Sequence, residues 1–292
     1  MAGELRPQLD AHTGTPTTGH EWDGVRELNT PLPRWWLWLF YLTIVWAIGY
    51  WIVYPSWPLV TSYTRGVFGW HSREAVVEDL RRLKAQRGPM MDKLAEASLA
   101  EIAADPLLLD FARAVGKPAF ADNCAPCHGA GGGGARGYPN LNDDEWLWGG
   151  KLDDIAKTIR HGIRSADERG HQGNMPALGR DGVLKRDEIA AVADFVRSLS
   201  SLPTPNADLA RGEKLFADNC AACHGPDGKG NREIGAPNLA DAIWLYGGSK
   251  DAIIDGIFNG RGGSMPAWAG RLDETTIKAL AVYVHGFGGG EK

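Results

Sequence analysis

The longest apolar stretch of the chain runs from Trp35 to Val53 and contains no charged residue. In a helix with a rise of 1.5 Å per residue, a stretch of this length spans about 28 Å, close to the hydrocarbon thickness of a bilayer. Tryptophan and tyrosine residues gather at both of its ends, as in the aromatic belts of membrane helices. The pattern predicts one transmembrane helix over residues 34–54.

A soluble core helix and a cleaved signal peptide both fit this stretch less well. A buried helix of a soluble protein is rarely apolar on every side over such a length. A cleaved signal peptide has a shorter apolar region near the N-terminus and ends in small residues, whereas this run begins at Trp35 and is followed by Tyr54-Pro55-Ser56-Trp57. We therefore expect a retained single-pass anchor. Arginines flank its two ends equally, so the positive-inside rule predicts no orientation.

The segments beside the anchor have different patterns. Residues 1–33 are rich in glycine, proline and threonine and lack a sustained apolar period, which predicts a mostly irregular tail. Residues 55–107 predict a helical spacer, because apolar residues recur at helical spacing among charged ones. Gly88-Pro89 is expected to interrupt this helix, and a second helical stretch is expected at residues 92–104.

The remainder of the chain contains an internal repeat. GKPAFADNCAPCHG at residues 116–129 matches GEKLFADNCAACHG at 212–225. PNLNDDEWLWGG at residues 139–150 matches PNLADAIWLYGG at 237–248. Two copies of one domain are therefore present.

The limits of the two copies follow from the repeat. They are predicted at residues 108–200 and 207–287, joined by a hinge at 200–206 that its two prolines stiffen. The first copy carries extra residues within 163–173. Each copy is expected to be helical and to close with a helix, since no alternating pattern typical of a strand is found in either.

Composition and the cysteine pattern narrow the range of possible functions. A hydrophobic content of 43% with 23% charged residues is ordinary for a globular protein. The formal net charge of −5 argues against nucleic acid as a partner, because phosphate binding needs a basic face. The four cysteines form two pairs, one in each copy, and each pair is followed at once by a histidine. No cysteine remains for a disulfide.

Cys-x-x-Cys-His is the attachment motif of c-type haem. Its spacing brings two sulfurs to one haem edge and places the histidine beneath the iron. A redox dithiol does not need the histidine, and a zinc site would need both pairs, which lie in different copies. The two motifs predict two covalently bound haem c groups, with His128 and His224 as proximal iron ligands. The predicted attachment residues are Cys124, Cys127, Cys220 and Cys223.

The sixth iron ligands are predicted to be Met175 and Met265. Each precedes a proline at an equivalent position of its copy. A lone methionine is more often core filler, but this pairing favours ligation. His161 and His171 have no counterpart in the second copy and are interpreted as surface loop residues. His285 lies in the last helix and is expected to be structural.

Histidine and methionine together would close both irons, which favours electron transfer over oxygen or peroxide chemistry. No catalytic residue is predicted. Carbonyl groups of Pro139 and Pro237 are expected to accept the proximal histidine N–H. Trp146 and Trp244 either close the haem pockets or pack within the fold. The acidic run at 143–145 is interpreted as a solvated face or a helix cap.

Taken together, the anchor, the two haem motifs and the two Met-Pro loops resemble the dihaem subunit of cbb3-type cytochrome c oxidase, the CcoP or FixP family. YPSWPLVTSYTRGVFGW at residues 54–70 is the most specific part of the resemblance, which extends from about residue 22 to 287. It implies a mainly α fold, with one transmembrane helix and two tandem all-α class I cytochrome c domains.

The resemblance also implies a place in a respiratory enzyme. The anchor would lie in the lipid of the bacterial inner membrane, with the N-terminus cytoplasmic and the haem domains periplasmic. Electrons would come from a cytochrome c or a cytochrome bc complex. They would pass to a monohaem cytochrome c subunit and then to the haem–copper catalytic subunit, where oxygen is reduced and protons are pumped. The chain itself would only relay electrons.

By the family pattern, each haem takes all its ligands from one copy. One set is Cys124, Cys127, His128 and Met175, and the other is Cys220, Cys223, His224 and Met265.

Other functions share these motifs. A dihaem cytochrome serving another membrane complex, such as a nitric oxide reductase or an alcohol dehydrogenase, would have the same haem sites. A dihaem peroxidase would need one iron with an open sixth position, which the paired methionines disfavour. A redox sensor would need an output domain, and none is recognised in the sequence.

Overall fold

A computed structural model describes residues 8–205 and 207–291. The chain divides into two compact units, with the boundary between Gln86 and Arg87. Residues 1–7 of the predicted tail and Asn206 of the predicted hinge lie outside the described residues.

The predicted irregular tail contains a β-hairpin, so that prediction was wrong for this part. Strand β1 (Thr17–Trp22) pairs antiparallel with β2 (Val25–Leu28), and Trp22 lies opposite Val25. Asp23 and Gly24 form the turn with φ values of 49° and 84°. Positive φ at both positions is typical of the two-residue Asp-Gly turns that close hairpins. The local turn signal outweighed the composition of the segment.

The apolar stretch forms a single helix, α1 (Arg34–Val53). It covers 20 residues, and none of them is buried in the protein. A core helix of a soluble protein would be buried, so α1 is not a helix of that kind. After α1 the chain turns back, and the amide groups of Val67 and Phe68 donate to the carbonyls of Ile52 and Val53 at 2.9 and 3.0 Å.

The predicted break at Gly88-Pro89 does not occur. Helix α2 (Ser72–Glu96) continues through Pro89. A proline removes one backbone hydrogen bond, and the later turns of α2 are held by Leu94, whose side chain is fully buried. The second helical stretch, predicted over residues 92–104, is divided between the end of α2 and a separate helix, α3 (Leu99–Ala104). Helix α3 begins after Ser98 because Ser98 and Glu101 form a reciprocal capping box.

The remaining helices follow in chain order: α4 (Pro106–Asn123), α5 (Ala125–His128), α6 (Leu152–His161), α7 (Arg186–Leu199), α8 (Leu209–Asn219), α9 (Ala221–His224), α10 (Lys250–Asn259) and α11 (Glu274–His285). Aspartate side chains cap the first turns of three of them. Asp105 accepts from two amide groups of α4, and Asp208 and Asp273 each accept from one amide group of α8 and α11.

The hydrophobic cores do not follow the repeat. The first core joins α4 and α6 of the first copy to α11 of the second, around Phe120. The second core joins α8 and α10 of the second copy to α7 of the first, around Phe216. The closing helix of each copy therefore packs on the opening helix of the other, and the two copies interlock.

Equivalent glycines allow both helix crossings. A Cβ atom on Gly116 of α4 would lie 2.4 Å from the carbonyl oxygen of Ala279. One on Gly212 of α8 would lie 2.4 Å from the carbonyl oxygen of Ala191. Only glycine permits so close an approach of the two backbones.

The predicted spacer is not separate from the first core. Leu94, Leu99 and Ile102 are buried in it beside α4. The segment before residue 108 therefore contributes to the packing of the first haem domain, which the polar character of the spacer did not indicate.

Candidate haem sites

Both histidines predicted to be proximal iron ligands are oriented by a backbone carbonyl, as expected. The ring Nδ1 of His128 lies 3.0 Å from the carbonyl oxygen of Pro139, and that of His224 lies 3.1 Å from the carbonyl oxygen of Pro237. Because a carbonyl can only accept, Nδ1 carries the proton and donates. The lone pair is thereby left on Nε2, which is the tautomer that a metal ligand needs.

The two cysteines of each motif have different surroundings. Cys127 and Cys223 are exposed, whereas Cys124 and Cys220 pack against the two cores. Burial raises the pKa of Cys124 and of Cys220 to about 11, and the neighbouring cysteine of each pair adds to the shift. An apolar setting disfavours the thiolate that a zinc site or a reactive dithiol requires. It suits an uncharged thioether sulfur.

A zinc site is also not assembled by the fold. Within residues 8–205 and 207–291, no group of three or more histidine, cysteine, aspartate or glutamate side chains is placed to hold a metal ion. The two Cys-x-x-Cys-His motifs therefore act separately, each with its own histidine.

The two methionines exchange places between the copies. Met265 packs against the first core together with Cys124, and Met175 packs against the second core together with Cys220. The resemblance implied that all four ligands of a haem come from one copy, whereas here each methionine packs beside the attachment cysteine of the other copy. The cause is the interlocking of the helices. Each Met loop directly precedes a closing helix and therefore lies beside the core on which that helix packs.

Two short backbone bridges fix the crossed loops. Ile163, which follows α6, exchanges hydrogen bonds of 2.9 Å with Met265. Arg261, which follows α10, pairs in the same way with Met175 at 2.9 and 3.2 Å. Each methionine is thus tied to the core of the other copy by main-chain hydrogen bonds as well as by packing.

Two cavities share a wall, and one of them reaches the second motif. This one, of about 770 Å³, is lined by Cys223 and Pro237 of the second copy. The other, of about 730 Å³, is lined by Pro139 of the first copy and by residues 243–249 of the second. Volumes of this size are typical of cofactor pockets. The residues common to both linings are Glu145, Leu147, Pro237 and Asn238.

The paired tryptophans have unequal environments. The indole N–H of Trp146 donates to the carbonyl oxygen of Gly289 at 2.6 Å. The indole nitrogen of Trp244 is buried without a hydrogen-bond partner among the described residues, and its ring lines the second cavity. Buried N–H groups in proteins are nearly always satisfied. A bound haem carboxylate in this cavity would supply the missing acceptor.

These observations fit haem c at both motifs. Each site offers a histidine with a free Nε2, one half-buried and one exposed cysteine, and a methionine on the same core. The unpaired indole N–H of Trp244 adds a donor of the kind that haem carboxylates accept.

The additional histidines are not surface loop residues, so that prediction was wrong. His161 pairs through Nδ1 with Asp167 at 2.8 Å, and its side chain is only 13% exposed. His171 stacks on Trp148 with 4.2 Å between the ring centroids. Burial lowers the pKa of His171. Both residues pack the extra segment of the first copy. The Nε2–H of His285 donates to the carbonyl oxygen of Glu291 at 2.8 Å, as expected of a structural residue.

Two features of the site were missed in the sequence. Glu145 is half-buried and faces Asp241 of the other copy, which together with burial raises the pKa of Glu145 to about 7. Arg164 contacts both Met loops. Neither belongs to a motif, and only the crossed packing brings their partners close. The acidic run at 143–145 is therefore not entirely a solvated face.

Comparison with known families agrees with this architecture. Residues 14–61 match the N-terminal domain of cytochrome oxidase-cbb3, FixP. Residues 114–200 match the cytochrome c family, and residues 207–284 match cytochrome c oxidase, cbb3-type, subunit III. The fold is thus mainly α, with one candidate membrane helix and two cytochrome c domains, as predicted.

Curated relatives match along almost the whole chain. A cbb3-type cytochrome c oxidase subunit FixP from Bradyrhizobium diazoefficiens is 62% identical over 97% of this chain and 98% of its own length. A subunit CcoP from Azospirillum brasilense is 50% identical over 97% of this chain and 99% of its own length. One from Cereibacter sphaeroides is 49% identical over 98% and 99%.

Proposed function

The chain belongs to the FixP/CcoP family of cbb3-type cytochrome c oxidase subunits, and from this premise we propose that its two haem sites are built by ligands from both copies and form one relay. It is an electron-transfer subunit of an oxidoreductase complex and carries two haem c groups, one per cytochrome c domain. Bound haem c supplies an iron centre that changes its charge by one electron.

The ligand assignment rests on the crossed placement of the methionines. We assign Cys124, Cys127, His128 and Met265 to the first haem. Cys220, Cys223, His224 and Met175 are assigned to the second haem. The packing of Met265 beside Cys124 and of Met175 beside Cys220 carries this assignment. A thioether ligand raises the potential relative to a second histidine, and it leaves no open position for oxygen.

The shared wall supports direct passage of electrons between the two sites. Leu147 of the first copy and Pro237 of the second line both cavities. The carbonyl of Pro237 also holds the ring of His224. A residue that orients one ligand therefore lies between the two cavities, which supports electron transfer from one haem to the other.

The neighbours of the chain follow from its family. The other oxidase subunits are its partners. We assign the monohaem cytochrome c subunit and the haem–copper catalytic subunit as acceptors in turn, and a cytochrome c or a cytochrome bc complex as the donor. The anchor α1 would lie in the inner membrane, with the hairpin in the cytoplasm and the haem domains in the periplasm, where c-type haem is attached in bacteria.

Single-haem variants test the crossed ligands. Cys220→Ala/Cys223→Ala leaves only the first motif able to hold haem. Adding Met265→His should lower the midpoint potential of the remaining haem and abolish its methionine–iron charge-transfer absorption, because imidazole replaces the thioether. Adding Met175→His should leave both unchanged. A potential that falls with Met175→His and stays constant with Met265→His would restore the assignment within each copy.

The reciprocal set is the matched control. In Cys124→Ala/Cys127→Ala, only the second motif holds haem, and the roles of the two methionines should be reversed. If both methionine variants leave the spectrum unchanged in both backgrounds, neither methionine is an iron ligand.

Isolation of the complex tests the partners. Membranes solubilised in a mild detergent should yield the chain together with haem b and copper in fixed ratio to haem c. Recovery of the chain alone, or with an enzyme lacking copper, would favour a dihaem carrier for another complex.

A further inference from the structure

Arg164 lies where the two Met loops cross. It follows the end of α6 by three residues, and its backbone has a φ of 47°, in the region that favours glycine. Its amide donates to the carbonyl of His171 at 2.6 Å, while the preceding Ile163 pairs with Met265. Residues in this conformation persist only where the surroundings hold them. The backbone here is held from both sides.

The side chain of Arg164 reaches both loops. Its Nε donates to the carbonyl oxygen of Gly263 at 2.5 Å, and a terminal nitrogen donates to the carbonyl oxygen of Gly173. Gly173 and Gly263 each stand two residues before the methionine of their loop. One guanidinium group thus joins the two segments that carry the sixth ligands. The planar fork of arginine suits such a double contact better than the point charge of lysine.

The positive charge of Arg164 is not neutralised nearby. No carboxylate among the described residues forms an ion pair with it, whereas Arg160, Arg169 and Arg261 each pair with one. Burial lowers the pKa of the Arg164 guanidinium; the Tyr246 phenol opposes this shift, and no carboxylate contributes to it. An arginine remains protonated at physiological pH even so. A partly desolvated cation therefore lies between the two Met loops.

The second copy has no equivalent charge. The position that corresponds to Arg164 is Gly262, and a Cβ atom there would lie 3.9 Å from Cδ of Arg164. The arginine side chain runs along the space that this glycine leaves. The repeat is thus asymmetric at its crossing point: one copy supplies a cation and the other supplies room for it.

From this arrangement we infer that Arg164 is a positioning residue for both haem irons, which holds Met175 and Met265 in place and raises both midpoint potentials. The inference rests on the proposed crossed ligation. A fixed positive charge disfavours the more positive oxidised iron, and a firmly held thioether favours the reduced one. Both effects act in the same direction, and both act on two haems through a single side chain.

Redox titration of the full dihaem chain tests the inference. Arg164→Gln should shift the oxidised-to-reduced ratio of both haems about tenfold toward the oxidised form, a fall of about 59 mV for each one-electron couple. It should also weaken the methionine–iron charge-transfer absorption of both. Arg164→Lys keeps the charge and loses the fork, so its potentials should fall less than those of Arg164→Gln.

Arg169→Gln is the matched control, because Arg169 lies in the same extra segment and its side chain is 71% exposed. It should change neither potential. A shift of one haem only, or equal shifts in Arg164→Gln and Arg169→Gln, would overturn the inference. Equal falls of the potentials in Arg164→Gln and Arg164→Lys would show that the positive charge of Arg164 does not raise them. If the wild-type chain lacks methionine–iron absorption, the proposed ligation itself fails, which is a distinct result.

Discussion

The two cores are built from equivalent helices of the repeat, yet they are supported differently. The first core receives α3 and the end of α2 from chain outside the repeat, and Phe287 from the end of the second copy. Among the described residues, the second core consists of α7, α8, α9, α10 and their loops. The proximal ligands show the opposite trend, since His224 is buried and His128 only half-buried. The first site thus has the core with more packing elements, whereas the second site has the more buried histidine. The two copies of one motif therefore form two different sites.

This difference has a functional consequence. Burial of His224 lowers its pKa, because the charged imidazole is disfavoured away from water. The same apolar setting disfavours the oxidised iron. The two haems are thus expected to differ in potential although their ligands are of the same kind.

Truncation of the central phenylalanines should give the largest effect and separate the two cores. Phe120 and Phe216 are each about 1% exposed and occupy equivalent positions. Phe120 contacts the rings of Tyr283 and Phe287, whereas Phe216 contacts that of Phe195. Each substitution by alanine should cost about 3–5 kcal/mol, with Phe120→Ala at the upper end. Denaturant unfolding of the purified chain measures this.

The same unfolding curves test the interlocking. Because the closing helices are exchanged, the two haem domains should unfold in one transition in either variant. Two separated transitions would mean that the domains are independent. Val183→Ala serves as a control at an exposed site and should change the free energy of unfolding by less than about 0.5 kcal/mol.

The helix crossings should give the next largest effect. Gly116→Ala and Gly212→Ala each place a methyl group against a backbone carbonyl, so each should cost about 1–3 kcal/mol through overpacking. Gly88→Ala in α2 is a matched control, since no atom lies within 4 Å of a Cβ there. It should be neutral or slightly stabilising. Equal effects at all three positions would show that helix propensity, not the crossing, is being measured.

Substitution of the two paired tryptophans should give smaller effects, one on the stability and the other on a midpoint potential. Trp146→Phe loses the hydrogen bond to Gly289 and should cost about 0.5–1.5 kcal/mol in unfolding free energy. Trp244→Phe loses no hydrogen bond to another described residue, and it should mainly change the midpoint potential of the haem bound in the cavity beside Pro139, which the Trp244 ring lines, by removing a donor to the haem carboxylate. If Trp146→Phe and Trp244→Phe lose equal stability and neither changes a midpoint potential, the indole of Trp244 is not part of the haem site.

The sequence was sufficient for the anchor, the haem motifs, the orienting prolines and most helices, because each depends on local pattern. It did not predict the exchange of the Met loops. The closing helices present an apolar face of the same kind, so packing on either copy satisfies the same pattern. The hairpin was missed because composition was weighted above the local turn signal, and the continuity of α2 was missed because Gly88-Pro89 was taken as a helix break. Arg164 and Glu145 acquire their roles only from partners that the crossing brings near.

Glu145 gives the smallest effect and the last contrast between the copies. The equivalent residue in the second copy is Ile243, so the Glu145 carboxyl group in the shared wall has no counterpart in the repeat. Asn238 approaches Glu145 at 3.5 Å, Asp241 faces it, and Arg232 is the nearby cation. Burial and the Asp241 carboxyl raise the pKa of Glu145 from its usual 4.5 to about 7.

Because its pKa is raised in the folded protein, the native state binds more protons than the unfolded state between pH 4.5 and 7. The contribution of Glu145 to stability is therefore greatest below this window and is lost as the pH rises through it. Glu145→Gln should flatten the pH dependence of the unfolding free energy within the window, while Asp144→Asn, at an exposed neighbouring position, should leave it unchanged. An unchanged slope in Glu145→Gln would mean that the carboxyl is ionised throughout. The wall between the two sites would then carry a fixed negative charge, which would lower both haem potentials and oppose Arg164.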